Sequence, residues 1–390
     1  MTDSITLDDL RRYTVARNFL KPTNLKTALH RMGFVQADPI RAPARAQDLI
    51  LRHRVNNYVA GELERRYATL DVEEDFFINY GYVSRSVYSL MHPRANSILA
   101  RKDRKRAQML LDFVRERGSV HPREVDEYFA HGKVTNYWGG SSNATTHLMD
   151  AMHYRGMLRV LRREKGIRIY APREHQKVAL SAAERRARID ALVDVVVGIY
   201  APLPASSLNY YVRRLRYAAP QWAGSLTDAL KRAKKRLRHV RVGVDWYFPD
   251  DEDPLRESPD QNSFARSPVL SSSFSLSVKA SLKAELKTRS QVVRLLAPFD
   301  PVVHDRARFK LLWDWEYRFE AYTPVVKRKL GYYAMPLLWR ERVIGWANVA
   351  VKNGALECDI GFVGSRPSEQ LFKRELEGEL DRLRRFLGLE

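Results

Sequence analysis

The hydrophobic pattern of this chain changes style near residue 290, and that change limits what it can fold into. Upstream, most apolar residues recur at helical spacing, interrupted by short hairpin-like runs. Downstream, residues 292–363 alternate apolar and polar side chains in short runs, as a small barrel or antiparallel sheet does. The last stretch, SRPSEQLFKRELEGELDRLRRFLGLE, returns to a helix with Leu371, Leu376, Leu380, Leu383 and Leu387 on one stripe. The expected class is mainly α with β: tandem winged-helix domains followed by a small C-terminal β-barrel-like domain and terminal helix.

At the N-terminus Thr6 can cap a helix through Leu10, Val15 and Leu20, and Asn24 a second through Leu25, Leu29 and Met32. Gly33 stops the second helix. Phe34-Val35-Gln36-Ala37-Asp38 is then a short extended run closed by Pro39, because the residue before proline is pushed out of the α region. In an extended run Gln36 and Asp38 leave the same face, an amide beside a carboxylate. Pro43 fits the first position of a helix from about Ala44 to His53 that buries Leu49, Ile50 and Leu51. Arg41, Arg45, Arg52 and Arg54 surround that stretch as candidate phosphate contacts. From Asn56 to about Leu90 the pattern reads as helical, and the aromatic residues of EDFFINYGYVSRSVYSLMHP read as core.

Residues 101–173 read as a winged-helix unit: a helix from Arg101, a short one after Pro122, a third from Ser142 to Arg155, and a hairpin turning at Lys165-Gly166. Ser141, Ser142, Asn143, Thr145 and Thr146 crowd the start of its third helix, a composition suited to N-capping or to phosphate contacts. Arg162, Arg163 and Lys165 line the hairpin. A second unit spans about 181 to 248, its third helix leading into the strand VRVGVDWYF. Between Lys231 and Arg241 lie seven basic residues and no acid, Lys234, Lys235 and Arg238 among them. Such a run is a solvated helix face or a DNA contact. The acidic, Pro- and Ser-containing segment that follows reads as linker. The expected divisions are 1–100, helical or winged-helix and carrying Gln36 and Asp38; 101–178 and 179–250, winged-helix; 251–288, linker; and 289–390, barrel-like with its helix.

A length of 390 residues with 45% hydrophobic side chains allows roughly two to four folded domains. A formal net charge of +21 favours a polyanionic partner, nucleic acid foremost. No apolar run approaches the ~20 residues that span a bilayer, and the polar start MTDSITLDDL is unlike a signal or transit peptide, so a cytoplasmic, nucleoid-associated monomer is expected. Cys358 is the only cysteine, which excludes an internal disulfide framework and a thiolate metal site, and no metal or organic cofactor is expected. Asp300, His304, Asp305, Arg306 and Arg308 resemble a catalytic cluster but read better as buried ion pairing at a junction.

Spacing alone leaves Asp38 open between a turn cap and a catalytic group. The stretch FVQADPIRAPARAQDLILRHR, however, resembles the QxD signature of the bacterial AlkZ/AlkX (YcaQ-like) winged-helix DNA glycosylases. NYWGGSSNATTH is similar to that family's WG-x-x-S-x-T-K segment, with Thr146 near where a lysine is common. APFDPVVHDRAR and YTPVVKRKLGYYAMPLLW resemble its PFD and KR-x-YGYY motifs, so the likeness covers most of the chain in order. Many members carry a W-x-H pattern where this chain has about Gly81 and Val83. The resemblance implies that Gln36 and Asp38 sit at the excised base, that double-stranded DNA with alkylated or crosslinked purines is the partner, and that N7-alkylguanine and interstrand crosslinks are substrates. With no lysine in the motif to form a Schiff base, it implies hydrolysis alone. Two other classes fit the charge and the repeated helical units: a winged-helix transcription regulator, and a DNA-binding relative of the glycosylases with altered catalysis.

Overall fold

The computed structural model describes residues 5–94, 101–129, 133–135, 141–174, 179–252 and 291–389. Thr6 and Asp9 form a reciprocal cap on the helix Leu7–Asn18, and Asn24 Oδ1 accepts from the Thr27 N–H at the start of Leu25–Met32. Gly33 leaves that helix at φ +66°, a conformation that side-chain-bearing residues avoid. The chain then enters the strand β1, Phe34–Gln36. The following helix is shorter than expected, Ala46–Leu51 with Arg45 at its N-cap, because residues 39–44 turn instead of winding and Pro43 lies in that turn.

The helical reading of 56–90 fails over its middle. Val72–Phe76 (β2) and Tyr80–Ser84 (β3) form a hairpin, and β3 also pairs antiparallel with β1, so the sheet order is β1-β3-β2. Glu73, Glu74 and Asp75 look like the wet face of a helix, yet all three are buried. Their partners come from far along the chain: Arg173 on Glu73 at 2.5 Å, Arg163 on Glu74 at 2.6 Å, Arg94 on Asp75 at 2.8 Å. Long-range charge pairing of this kind cannot be read from local periodicity, and it overrides it.

The second unit holds helices Arg101–Arg117, Pro122–Phe129 and Ala144–Tyr154, then a hairpin of Leu158–Glu164 and Ile167–Pro172. Lys165 and Gly166 both take positive φ at its turn, as a two-residue hairpin loop demands. Its third helix starts at Ala144 rather than Ser142, because Ser141–Asn143 is a strand paired with Lys133–Thr135. The third unit has helices Ala182–Tyr200, Ala205–Ala218 and Leu226–Arg236. VRVGVDWYF is two strands rather than one: Gly243, at φ +68°, folds Val244–Phe248 back on Arg238–Val242. Most of the acidic linker lies outside the described residues.

Beyond it, Val293–Leu295, Met335–Trp339, Arg342–Lys352 and Ala355–Phe362 form one antiparallel sheet in that order, curled into a half-barrel and not closed. The terminal helix Gln370–Leu387 packs on it through Phe372, 5.1 Å from the Trp339 ring and 6.1 Å from Phe362. Among the described residues no helix is long and apolar enough to cross a membrane.

The hydrophobic side chains gather into two cores that do not follow the linear segments. One draws on Leu10, Val87, Leu192, Tyr211 and Val302; the other on Leu25, Leu49, Leu110, Val293 and Phe372. Strand β1 lies on the seam, since Phe34 belongs to the first core and Val35 to the second. Gly81 faces Gln36 across β3–β1, and a Cβ there would stand 2.3 Å from the Val35 carbonyl oxygen. That oxygen is backbone and cannot rotate aside. Gly81→Ala is therefore expected to lower the unfolding free energy by about 3 kcal/mol, read from the urea midpoint at unchanged m.

Candidate active site

The seam delivers Asp38 one residue beyond the end of β1 pairing, where Ala37 N–H still donates to the Tyr80 carbonyl. Asp38 Oδ1 accepts from the Ile40 N–H at 2.9 Å, closing an Asx turn, and its own N–H points at Gln47 Oε1, 3.4 Å away. Burial pushes the carboxyl above the usual carboxylate range, opposed by the Ile40 N–H. No cation pairs with it among the described residues, in a protein of net charge +21. Its charge raises the phenols of Tyr322 and Tyr333, for which burial is the larger cause. Tyr322 is exposed; Tyr333 is buried with a hydroxyl that finds no hydrogen-bond partner among the described residues.

Gln36 is held from its other side. Its Oε1 accepts from Asn79 Nδ2 at 2.9 Å, and that same amide nitrogen lies 3.1 Å from His304 Nε2. Arg214 reaches Asn79 Oδ1 at 2.6 Å and the Ile78 carbonyl at 2.8 Å. His304 Nδ1 faces the Tyr211 hydroxyl at 2.8 Å. Burial, then the guanidinium groups of Arg306, Arg214 and Arg308, push the imidazole down to about 3, so it is neutral. Arg306 stacks over Tyr317 and acts on Tyr333 as well as on His304, joining the two halves of the site.

The cations sort into three groups. Arg41 is exposed, and the hairpin turn of the second unit approaches it: a Cβ on Gly166 would stand 2.5 Å from Arg45 and 3.7 Å from Arg41. Lys165, Arg162, Lys234, Lys235 and Arg238 are exposed, Arg162 within reach of Glu164. Arg45 and Arg163 are mostly buried, on Glu64 and on Glu74 respectively. Arg52 and Arg54, expected at phosphates, are instead structural: Arg52 meets Glu379 at 2.5 Å and Arg54 meets Asp300 at 2.7 Å, with all four side chains at most 9% exposed. They tie the segment after Asp38 to the C-terminal sheet and helix. Thr145 is likewise fully buried and cannot reach a phosphate, while Thr146 is half-buried. The side chains of Ser141, Ser142 and Asn143 and the Trp138-Gly139-Gly140 segment lie outside the described residues.

Sequence reasoning missed Asn79, Tyr211, Arg214, Tyr322 and Tyr333. It read His304 as structural along with its neighbours through buried ion pairing; among the described residues that pairing is found for Asp300 on Arg54, whereas Asp305 caps a helix and Arg308 donates to the Tyr200, Pro301 and Val302 carbonyls. It marked 322–339 as similar to a family motif but did not expect the loop 320–331, closed by Glu320, whose Oε2 accepts from the N–H groups of Lys329, Leu330 and Gly331. That loop exposes Tyr322, Val325 and Val326 beside Lys327 and Lys329. Among the described residues no three His, Cys, Asp or Glu side chains gather as metal ligands.

The ion-pair assignment has a measurable consequence. Arg52→Met and Arg54→Met should each cost about 3–5 kcal/mol of stability by stranding a buried carboxylate, yet leave the salt dependence of DNA binding unchanged. Arg41→Gln should do the reverse, reducing the slope of log K against log salt by about 1 with no loss of stability.

The fold matches that of the Streptomyces sahachiroi DNA glycosylase AlkZ, with a TM-score of 0.55 at 14% identity over 99% of this chain and 97% of that one. Residues 29–386 match the family model described as DNA glycosylase AlkZ-like. Because that match runs from within the second helix through the Gln36–Asp38 turn, the second and third helical units and the half-barrel with nearly all of its helix, the chain belongs to the AlkZ-like family of DNA glycosylases.

Proposed function

We propose that this protein is a monofunctional DNA glycosylase that hydrolyses the N-glycosidic bond of ring-alkylated purines, N7-alkylguanine foremost, and unhooks interstrand crosslinks built on them. It acts as a cytoplasmic monomer on double-stranded DNA. The observation that carries the reading is Asp38: a half-buried carboxylate that, among the described residues, has one short backbone contact and no cation, with a raised pKa, two residues from an amide held by a separate polar network.

Hydrolysis of an ordinary glycoside needs an acid for the leaving group and a second carboxylate for water or attack. A purine alkylated at N7 carries a positive charge already. When its bond to C1′ breaks, the electron pair stays on the base, which leaves neutral, so the acid is dispensable. What remains is an oxocarbenium-like sugar to stabilise and a water to deliver. An unpaired carboxylate in a partly desolvated site does the first by charge, and it accepts the water proton as the oxygen bonds to C1′. Its raised pKa makes it a stronger base than a solvated Asp. Gln36 positions the water. Arg41 and Lys165 near the turn, with Arg162, Lys234, Lys235 and Arg238 further out, hold phosphates.

The test is release of free base from duplex DNA carrying N7-methylguanine or a nitrogen-mustard crosslink. Wild type should release it, and Asp38→Asn should lose about 10³-fold in single-turnover rate with DNA affinity retained. Equal rates for the two proteins would remove Asp38 from the reaction. Because the carboxyl must be ionised and its pKa is raised, the wild-type rate should fall as pH drops through a midpoint above the usual carboxylate value, and stay flat from there to neutrality.

A further inference from the structure

We propose that Asn79 and His304 are positioning residues that fix which way the Gln36 carboxamide faces, with its oxygen bound inward and its NH2 group presented to the attacking water. This deepens the reading of Gln36 and Asp38 given above and rests on it.

The orientation follows from donors and acceptors alone. A guanidinium only donates, so the atom of Asn79 that lies 2.6 Å from Arg214 is its carbonyl oxygen. The Asn79 NH2 group therefore points the other way, toward both Gln36 and His304. An amide nitrogen accepts nothing, so both of those neighbours accept from it: Gln36 through Oε1, His304 through a bare Nε2. A neutral imidazole with a bare Nε2 carries its proton on Nδ1, which then donates to the Tyr211 oxygen at 2.8 Å. Each member thus has one allowed orientation, and the chain runs Arg214 to Asn79 to Gln36, braced by His304 on Tyr211. Gln36 Nε2 has no partner among the described residues. The water oxygen next to Gln36 consequently receives a hydrogen bond, and its lone proton route is to Asp38. A reversed amide would compete with Asp38 for that proton.

Three measurements test this. Asn79→Asp keeps size and the Arg214 contact but cannot donate to Gln36; Gln36 then turns its NH2 inward. Single-turnover release should fall about 100-fold, as for a misaligned reactant, with the dissociation constant for lesion DNA within about threefold of wild type. His304→Gln keeps an acceptor for Asn79 and should stay within about threefold of wild type, whereas His304→Leu removes it and should match Asn79→Asp. A merely structural role would rank the two His304 variants by their loss of stability instead. Nitrogen NMR of protein labelled at histidine, assigned by the signals that vanish in His304→Gln, should show a neutral Nδ1–H imidazole between pH 5 and 8. A wild-type rate for Asn79→Asp, or a protonated or Nε2–H ring at His304, would overturn the proposal. If wild type released no base at all, the reaction assigned above would fail, while the imidazole spectrum would still decide the orientation of the relay.

Discussion

Everything at this site depends on one three-residue strand being gripped from both faces. Alternation puts Phe34 into one hydrophobic core and Val35 into the other, and each is at most 2% exposed. Burying two such side chains is worth about 1.5–3 kcal/mol apiece. Sliding the strand by one residue would exchange them and send Gln36 into protein. The register with β3 adds a second constraint, because Gly81 lets the two backbones approach where any side chain would strike the Val35 carbonyl. The same two side chains on a flexible loop would have to be ordered each time a partner met them. Here the order is built in by cores that span the whole chain, and the buried pairs Arg52–Glu379 and Arg54–Asp300 anchor the segment that follows.

Against that rigidity the electrostatics of the site stand out by what the carboxylate lacks. The protein carries 67 lysines and arginines, and most of its buried acids are claimed: Glu73, Glu74, Asp75, Asp300 and Glu379 all have guanidinium partners. Among the described residues, the Asp38 carboxylate has a single backbone N–H at 2.9 Å. A cation beside it would satisfy the charge and lower its pKa, at the cost of basicity and of attraction for a cationic sugar. Arg306 is turned onto the Val303 and Pro298 carbonyls and Arg45 onto Glu64. The positive charge of the whole molecule is spread over exposed side chains and buried pairs, while none of the described cations meets Asp38.

How much of this was legible in the residues follows from the range of the interactions involved. Caps, glycine stops and tight turns are local, and Thr6, Asn24, Gly33 and Lys165-Gly166 do what their types dictate. The half-barrel and its packed terminal helix were visible as period changes. The strands β2 and β3 were not, because their acidic run mimics a solvated helix face and the arginines that bury it lie from 19 to 100 residues away. The same limit hid Arg52 and Arg54, where a cation near a motif reads as a phosphate contact whether its partner is DNA or a buried carboxylate hundreds of residues on. Gln36 and Asp38 stood out only through likeness to a family motif, since spacing alone left Asp38 open between a turn cap and a reactive group. Asn79 and Tyr211 did not, since each belongs to a different segment and nothing in its own neighbourhood sets it apart, while His304 stood in a recognised cluster but read as structural because its contacts to Asn79 and Tyr211 are long-range.

The position opposite Gln36 shows how a departure from a family pattern can be absorbed. Where the family resemblance implies a W-x-H pattern, this chain has Gly81 and Val83, the first with no space for a side chain and the second fully buried. Neither can present an aromatic ring or an imidazole to a substrate. An imidazole nonetheless stands two hydrogen bonds from Gln36, contributed by His304 at the end of the short helix Pro301–His304, with Asn79 from the β2–β3 turn between them. Because the amide needs only a donor held in a known direction, any segment that brings an asparagine with a fixed carbonyl will serve. Burial keeps His304 neutral and the Asn79 NH2 group selects the tautomer with a bare Nε2, so the brace on Gln36 holds wherever the imidazole stays uncharged.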